Sequence, residues 1–465
     1  SGKLNENPLE IAQSIVKKLL QDHSTLIESA EIAGPGFINI HIEKLQIVSQ
    51  LETVLKADIN FGRNDLEKGK KVLVEFVSAN PTGPLTVGHG RGAILGDVIS
   101  NILEWNGYKV EREYYYNDAG RQMERLGLSV QARYLELIGQ SVDFPEQGYE
   151  GEYIIDIAKD LMEKDVDKLH DGTDLGYFTQ AAEKYIFLLI ENTLSRIGIK
   201  FDQYYNEQSL HESDSIKTVL TELKKKDLIY KKDGATWFRA TSVGRTQDKV
   251  IIKSSGEPTY RLPDIAYHRD KFERGYDFMI DILGADHIDA YPDVLAGVKA
   301  MSYSTDKIKV LIHQFVTLIK NGEPVKMSTR KAQYVTLDEL INEVGPDVLR
   351  YFFIMRNMNS HLNFDLKLAK EKSNDNPVYY IQYAYARICG ILRLADEKGI
   401  DYFDKKQPDI PPEESPLPEN DYDPRQAMNP VSDECTDALE GRARGIRGCA
   451  DDRGFALSTR LCLDA

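Results

Sequence analysis

Only four cysteines and two tryptophans occur among the 465 residues. The cysteines, at positions 389, 435, 449 and 462, follow neither a disulfide framework nor a metal-knuckle spacing. A surplus of positive charge is also missing: 58 Lys and Arg face 74 Asp and Glu, a net of -16. That balance excludes a general nucleic-acid coat, though not a specific nucleic-acid partner held by local basic patches. No apolar run approaches the roughly 18 residues of a membrane span, and no signal-peptide pattern opens the chain. A non-membrane protein of the reducing cytoplasm is expected. What is present is ordinary for a globular protein, 42% hydrophobic and 28% charged. The length suggests two to four domains.

Ile11, Ile15, Leu19 and Leu20 recur at helical spacing, and a Gly-Pro-Gly turn at 34–36 leads into the strand-like FINIHIE. A second helix is expected over 43–56, completing a small α/β module across residues 3–63. Strands and helices alternate from Lys70 onward, which argues a parallel α/β core over 64–373. Its predicted parts are the buried strand KVLVEFV, a turn-rich loop SANPTGPLTVGHGRG, the helix AILGDVISNILEW and the strand KVEREYYY. A largely helical insertion near 120–240 follows. WFRATSV, DKVIIKSS, FMIDILGA and KVLIHQFVTL then read as further strands. Residues 374–403 read as the start of a helical domain. Residues 404–465 hold seven of the 18 prolines and three of the four cysteines, and every basic residue after Lys406 is arginine. This atypical tail reads as disordered or as a shifted reading frame, and carries no functional assignment.

Two stretches carry chemistry. In the first, from Glu75 to Gly96, a strand runs through a Pro/Gly loop into TVGHGRG and a helix. Backbone N–H groups at a helix N-terminus attract anions, and Gly88, Gly90 and Gly92 would let a phosphate approach. His89 could donate to phosphate oxygens as charge builds. The plain alternative is a tight strand-to-helix turn. In the second, GEPVKMSTRKAQYVTLDELI, Lys326 and Arg330 flank Ser328, and Thr336 with Glu339 forms a capping box that starts the next helix. Two cations on a loop can clamp transferring phosphates, or simply be a solvated basic turn.

Together, ANPTGPLTVGH and KMSTR resemble the paired nucleotide motifs of class I aminoacyl-tRNA synthetases. YYYNDAGRQ, GYEGEYI, GEPTYRLPDIAYHRDK, GADH, VKMSTRKAQYVTLDELI and LRYFFIMRNMNSHLNFDL narrow the resemblance to the bacterial-type arginyl-tRNA synthetases, over roughly residues 9–400. The resemblance implies a Rossmann-like parallel sheet with a helical insertion, preceded by a tRNA-elbow module and followed by an anticodon-binding helical bundle, here incomplete. It implies ATP with Mg²⁺, L-arginine and tRNA(Arg) as ligands of a monomer. Glu75, Asn80, Tyr260 and Asp264 would hold the arginine. Carboxylates in fixed positions suit a guanidinium, a permanent cation with a planar fork of donors. The alternative for the two acids is a structural ion pair. Ala79, Pro81, Gly83, Gly88, His89, Gly90, Asp286, His287, Met327 and Ser328 would line the ATP site.

His89 matches the second histidine of the HIGH motif, while Thr86 stands at the first. Thr329 replaces the middle lysine of KMSKS, leaving Lys326 and Arg330 as the clamp. With His89 and Thr86 these form the predicted catalytic set. The implied reaction makes arginyl-adenylate and then arginyl-tRNA, and neither step needs a protein nucleophile. Basic candidates for tRNA contact are Lys17, Lys18, Lys224 to Lys226, Lys231 and Lys232. The competing reading is a synthetase-like protein that binds tRNA without catalysis, which the threonine substitutions favour and the retained arginine-pocket residues oppose.

Overall fold

The computed structural model describes residues 7–23, 25–43, 46, 49, 53, 54, 56–165, 174–325 and 335–399. The chain divides into two compact units, residues 1–64 and 65–465. In the first, Asn7 accepts from the Leu9 N–H at 3.0 Å and starts α1 (Pro8–Asp22). An antiparallel hairpin of β1 (Ile27–Ala33) and β2 (Phe37–Ile42) follows. Its turn uses left-handed Gly34 and Gly36, and Pro8 atoms stand 3.0 Å from where a Cβ of Gly36 would lie. The helix expected over 43–56 falls largely outside the described residues.

The second unit opens with β3 (Lys71–Glu75), α2 (Val87–Trp105) and β4 (Lys109–Tyr116). Then come α3 (Arg121–Leu137), α4 (Glu152–Asp165), α5 (Leu175–Arg196) and β5 (Gln203–Asn206). The short α6 (Gln208–Glu212) and α7 (Ser215–Lys225) precede an antiparallel sheet of β6 (Ile229–Lys232), β7 (Ala235–Phe238) and β8 (Lys249–Ile252). After α8 (Arg261–Glu273), β9 (Phe278–Gly284), α9 (Tyr291–Ala300) and β10 (Ile308–His313) return to the main sheet. That sheet has the order β5-β4-β3-β9-β10, with every neighbouring pair parallel. It is a Rossmann-like α/β arrangement. The chain order reverses between β3 and β9, and the carboxyl ends of those two strands are where a ligand crevice is expected in such sheets. Val72, Leu73 and Val74 are fully buried, as a strand covered on both faces requires.

Three local expectations change. First, β5 lies within 120–240 and pairs with β4, so the insertion is two separate excursions from the sheet. Second, TVGHGRG is helix from Val87 onward, and its glycines fit a crowded helix: a Cβ on Gly90 would stand 2.5 Å from Leu337 Cδ1, and one on Gly92 3.0 Å from His313 Nε2. Third, KVLIHQFVTL is two strands. Gln314 leaves the main ladder, donating its N–H to the Met358 carbonyl at 2.9 Å and accepting from Arg91 at 2.7 Å. Beyond it β11 (Val316–Lys320) pairs antiparallel with β12 (Glu323–Pro324).

The remaining elements are α10 (Leu337–Val344), α11 (Pro346–Ile354), β13 (Leu362–Asp365), α12 (Leu366–Lys370) and α13 (Pro377–Glu397), with β13 parallel to β11. α13 packs against α11 and leaves Tyr380, Tyr385, Ile388 and Ile391 exposed. The rest of the predicted helical domain and the whole tail, 400–465, lie outside the described residues.

Candidate active site

Glu75 ends β3 at the switch point. Immediately after it, Val77 and Ser78 take left-handed backbone angles, φ 66° and 44°. Such angles are costly for side chains with a Cβ, and for β-branched valine most of all. The bend lets Ser78 Oγ donate to Glu75 Oε1 at 2.9 Å and accept from the Tyr115 N–H at 3.2 Å. Ala79 is clamped to Tyr114 in both directions, its N–H donating to the phenol at 3.2 Å and its carbonyl accepting at 2.8 Å. Asn80 Oδ1 accepts from the Asn117 N–H at 3.0 Å, and its amide donates to Gln122 at 3.2 Å. Pro81 is buried and Gly83 half-buried in the turn beyond.

At the start of α2, the Thr86 N–H donates to His89 Nδ1 at 3.1 Å. A backbone N–H can only donate, so Nδ1 presents its lone pair and the ring proton sits on Nε2. Burial pushes His89 down to about 4, with His313 adding to the effect and Asp286 opposing it. His89 is therefore a neutral donor at pH 7. Of the three glycines read as phosphate-approach positions, Gly88 is exposed, with nothing nearer than the Thr86 hydroxyl at 3.7 Å from its Cβ position. Gly90 makes room for Leu337, and Gly92 faces His313 Nε2 at 3.0 Å. His313 ends β10 opposite Gly284 of β9, so it meets the α2 turn from the sheet side. Asp286 and His287 lie on the short turn after β9, largely exposed and 3.7 Å apart. Lys326, Met327, Ser328 and Arg330 lie outside the described residues. The helix after them is anchored here: the Leu337 N–H donates to the Leu85 carbonyl at 2.8 Å, and Thr336 bridges to Thr86.

The other end of the crevice is charged. Glu75 stands in register with Glu113 of β4 on one side and Asp281 of β9 on the other. α8 and the residue that ends it, Arg274, answer this row of acids. Lys271 Nζ, fully buried, donates to Glu75 at 2.5 Å and to Asp281 at 2.7 Å. Arg274 forks onto both oxygens of Glu113, at 2.5 and 2.9 Å. Burial opposes the charge on Lys271, but Asp281 and Glu75 outweigh it and hold the ammonium above its ordinary range. Glu75 is thus in an ion pair, the alternative open for it in sequence. Asp264, one turn before His268 on α8, differs. Among the described residues no hydrogen bond or ion pair reaches its carboxyl. Burial pushes it up to about 7, a rise that Glu207 and Glu75 reinforce and His268 and Lys271 oppose. Tyr260, at the N-terminus of α8, is 78% exposed and does not close over it. Among the described residues no group of three or more His, Cys, Asp or Glu could hold a metal ion.

The class I (R) tRNA synthetase catalytic-domain model matches residues 50–359, and the arginyl-tRNA synthetase N-terminal domain model matches residues 1–42. An arginine–tRNA ligase of Desulfotalea psychrophila is 56% identical over 400 residues, covering 86% of this chain and 72% of that protein. The chain belongs to the class I arginyl-tRNA synthetases. An arginine–tRNA ligase of Chlorobium phaeobacteroides is 52% identical over 404 residues, 86% of this chain and 73% of that one. A solved Campylobacter jejuni structure, provisionally described as an arginyl-tRNA synthetase, superposes with a TM-score of 0.71 at 34% identity. It covers 78% of this chain and 81% of its own.

Within this arginyl-tRNA synthetase the motif residues Glu75, Asn80, Thr86, His89 and Asp264 gather along the carboxyl ends of β3 and β9. Sequence reasoning missed Arg91, Glu207, Lys271, Asp281 and His313. A histidine ending an apolar strand was a usable signal for His313. Nothing in sequence pairs Lys271 with Glu75, 196 positions away.

Proposed function

We infer that the chain uses ATP to join L-arginine to tRNA(Arg). Asp264 carries the reading: a half-buried carboxyl without a partner among the described residues, beside a buried row of acids at the sheet's switch point, suits a ligand that brings a permanent cation. Glu207 and Glu75 add to the negative field around it, and Glu75, Asn80 and Tyr260 complete the proposed arginine pocket. The guanidinium would draw Asp264 into its ionised form on binding. A neutral isostere would leave the half-buried carboxyl unmatched, which supports discrimination by charge.

Along the crevice, ATP would lie over Ala79–Gly83, the exposed Gly88 and the Asp286–His287 turn. The arginine carboxylate attacks the α-phosphate, pyrophosphate leaves, and the terminal ribose hydroxyl of tRNA then takes the arginyl group from AMP. His89 Nε2–H donates to a phosphate oxygen without needing to change its protonation. Thr86 contributes chiefly by fixing that tautomer. Lys326 and Arg330 are proposed to neutralise the departing phosphates, and Mg²⁺ to travel with the nucleotide. The proposed form is a cytoplasmic monomer. Among the described residues no helix is long and apolar enough to cross a membrane.

The deciding experiment supplies folded full-length protein with tRNA(Arg), labelled arginine, ATP and Mg²⁺. Acid-precipitable arginyl-tRNA is expected, and its absence would sink the enzymatic reading.

A further inference from the structure

The antiparallel sheet β6-β7-β8 has two unlike faces. On one, Ile229, Phe238 and Ile251 pack into the core shared with α7, α8 and α9. The other carries Tyr230, Trp237 and Val250, which stand opposite one another on the three strands. All three are half-buried, and none belongs to a hydrophobic cluster among the described residues. The outer side of an antiparallel sheet is ordinarily polar, so an apolar row there marks a surface with a partner. The Tyr230 and Trp237 rings lie 18° from parallel, with centroids 6.3 Å apart. Arg239 sits over Tyr230 at 4.8 Å and Lys232 over Trp237 at 5.8 Å. A cross-strand aromatic pair stabilises a sheet by itself, but that role does not call for the cations.

Charge points the same way. Residues 229–253 hold six Lys and Arg against two Asp, a net of +4 in a chain whose total is -16. Asp248 is taken up by the Tyr230 and Thr241 hydroxyls, at 3.1 and 2.8 Å. Arg245, Lys249 and Lys253 are in ion pairs. Among the described residues none reaches Lys231, Lys232 or Arg239, and Arg239 Nε meets no acceptor. Flat rings beside uncompensated cations suit unpaired nucleotides: a base stacks on the guanidinium plane or displaces the flexible lysine from its ring, and phosphates meet the charges. The face is also fastened to the proposed arginine pocket. Thr259, which precedes Tyr260, donates its N–H to the Ile251 carbonyl at 2.9 Å and its hydroxyl to the Val250 carbonyl at 3.0 Å.

We propose that this face is a stacking platform for the unpaired 3′ end of the tRNA, with Trp237 and the Arg239–Tyr230 stack under its bases and Lys231 and Lys232 on its phosphates. The inference rests on tRNA being the substrate.

The chain has two tryptophans, at 105 and 237, so Trp105→Phe leaves Trp237 as the sole indole reporter. A minihelix of the tRNA acceptor stem with its unpaired 3′ tail should quench Trp237 emission, and the same minihelix trimmed blunt should not. In tRNA charging, Trp237→Ala should raise the KM for tRNA roughly tenfold. The KM values for arginine and ATP should stay put, and Trp237→Phe should recover most of the loss. Lys232→Glu should also raise the tRNA KM and flatten its dependence on salt, and it carries the test if Trp237→Ala does not fold. Equal quenching by blunt and tailed RNA, or an unmoved tRNA KM in the folded variants, overturns the proposal. So does emission that ignores both RNAs and shifts with protein concentration, which would give the face to a second copy of the chain. Charging by the unaltered protein separates the two readings. Without it the enzymatic reading fails whatever Trp237 does, whereas normal charging with an unquenched Trp237 defeats only the present inference.

Discussion

Among the described residues, the two ends of the crevice are built on opposite electrostatic plans. Where the phosphates of ATP would lie, the described chain offers neutral groups: a helix N-terminus, an imidazole kept uncharged by burial, and backbone donors. Where arginine would lie, it offers a row of carboxylates balanced by buried cations. The difference follows from the ligands. A phosphate arrives with counter-ions and changes charge during reaction, so fixed neutral dipoles serve it with little reorganisation. A guanidinium keeps its charge throughout, so it needs a permanent complement whose desolvation has already been offset within the fold.

Three substitutions probe that contrast. Asp264→Asn should have the largest effect, lowering kcat/KM for arginine by roughly 10³-fold while ATP KM changes little. Steady-state charging assays at varied arginine and ATP measure both. A parallel rise in ATP KM would break the division into two ends. His89→Ala removes one neutral donor and should lower kcat by roughly 10²-fold. Because burial already depresses His89, its proton uptake belongs near pH 4, so a kcat profile should show no limb from His89 between pH 6 and 8. A bell centred on an ordinary histidine value would show that His89 works as a charged group after all. Thr336→Ala is the mildest. Its hydroxyl accepts from the Glu339 N–H at 3.1 Å and caps α10, so thermal unfolding should report about 1 kcal/mol lost. Effects on ATP larger than on stability would mean that the Thr86–Thr336 bridge also sets the nucleotide loop.

Much of this was legible in the sequence, because the motifs name residues that must sit at strand ends and helix starts. The parallel core, the helix after Gly92 and the capping box at Thr336 were read from local pattern, which is set by neighbours a few positions apart. What escaped depends on pairing across the sheet. Glu75, Glu113 and Asp281 become neighbours only through strand register, so the need for Lys271 and Arg274 could not be seen. The glycines of GHGRG misled for a related reason. Gly90 and Gly92 look like phosphate-loop glycines, yet the atoms crowding them belong to Leu337 and His313. The break in KVLIHQFVTL has the same origin, since Arg91 and Met358 draw Gln314 out of the ladder.

Arg91 has a consequence for how the molecule assembles. Among the described residues its buried guanidinium meets no carboxylate and donates instead to the carbonyls of Gln314, Ser360 and Asn357, at 2.7, 2.9 and 3.1 Å. Those acceptors lie 223, 269 and 266 positions further along. During synthesis or refolding, the first turn of the His89 helix therefore carries a hydrated charge that cannot be buried until the far part of the domain has arrived. Contacts of such long sequence separation form late and slow folding. The nucleotide end of the crevice is thus among the last parts of the domain to reach its final geometry, and a chain cut short of Asn357 would lack all but one of the acceptors that complete it.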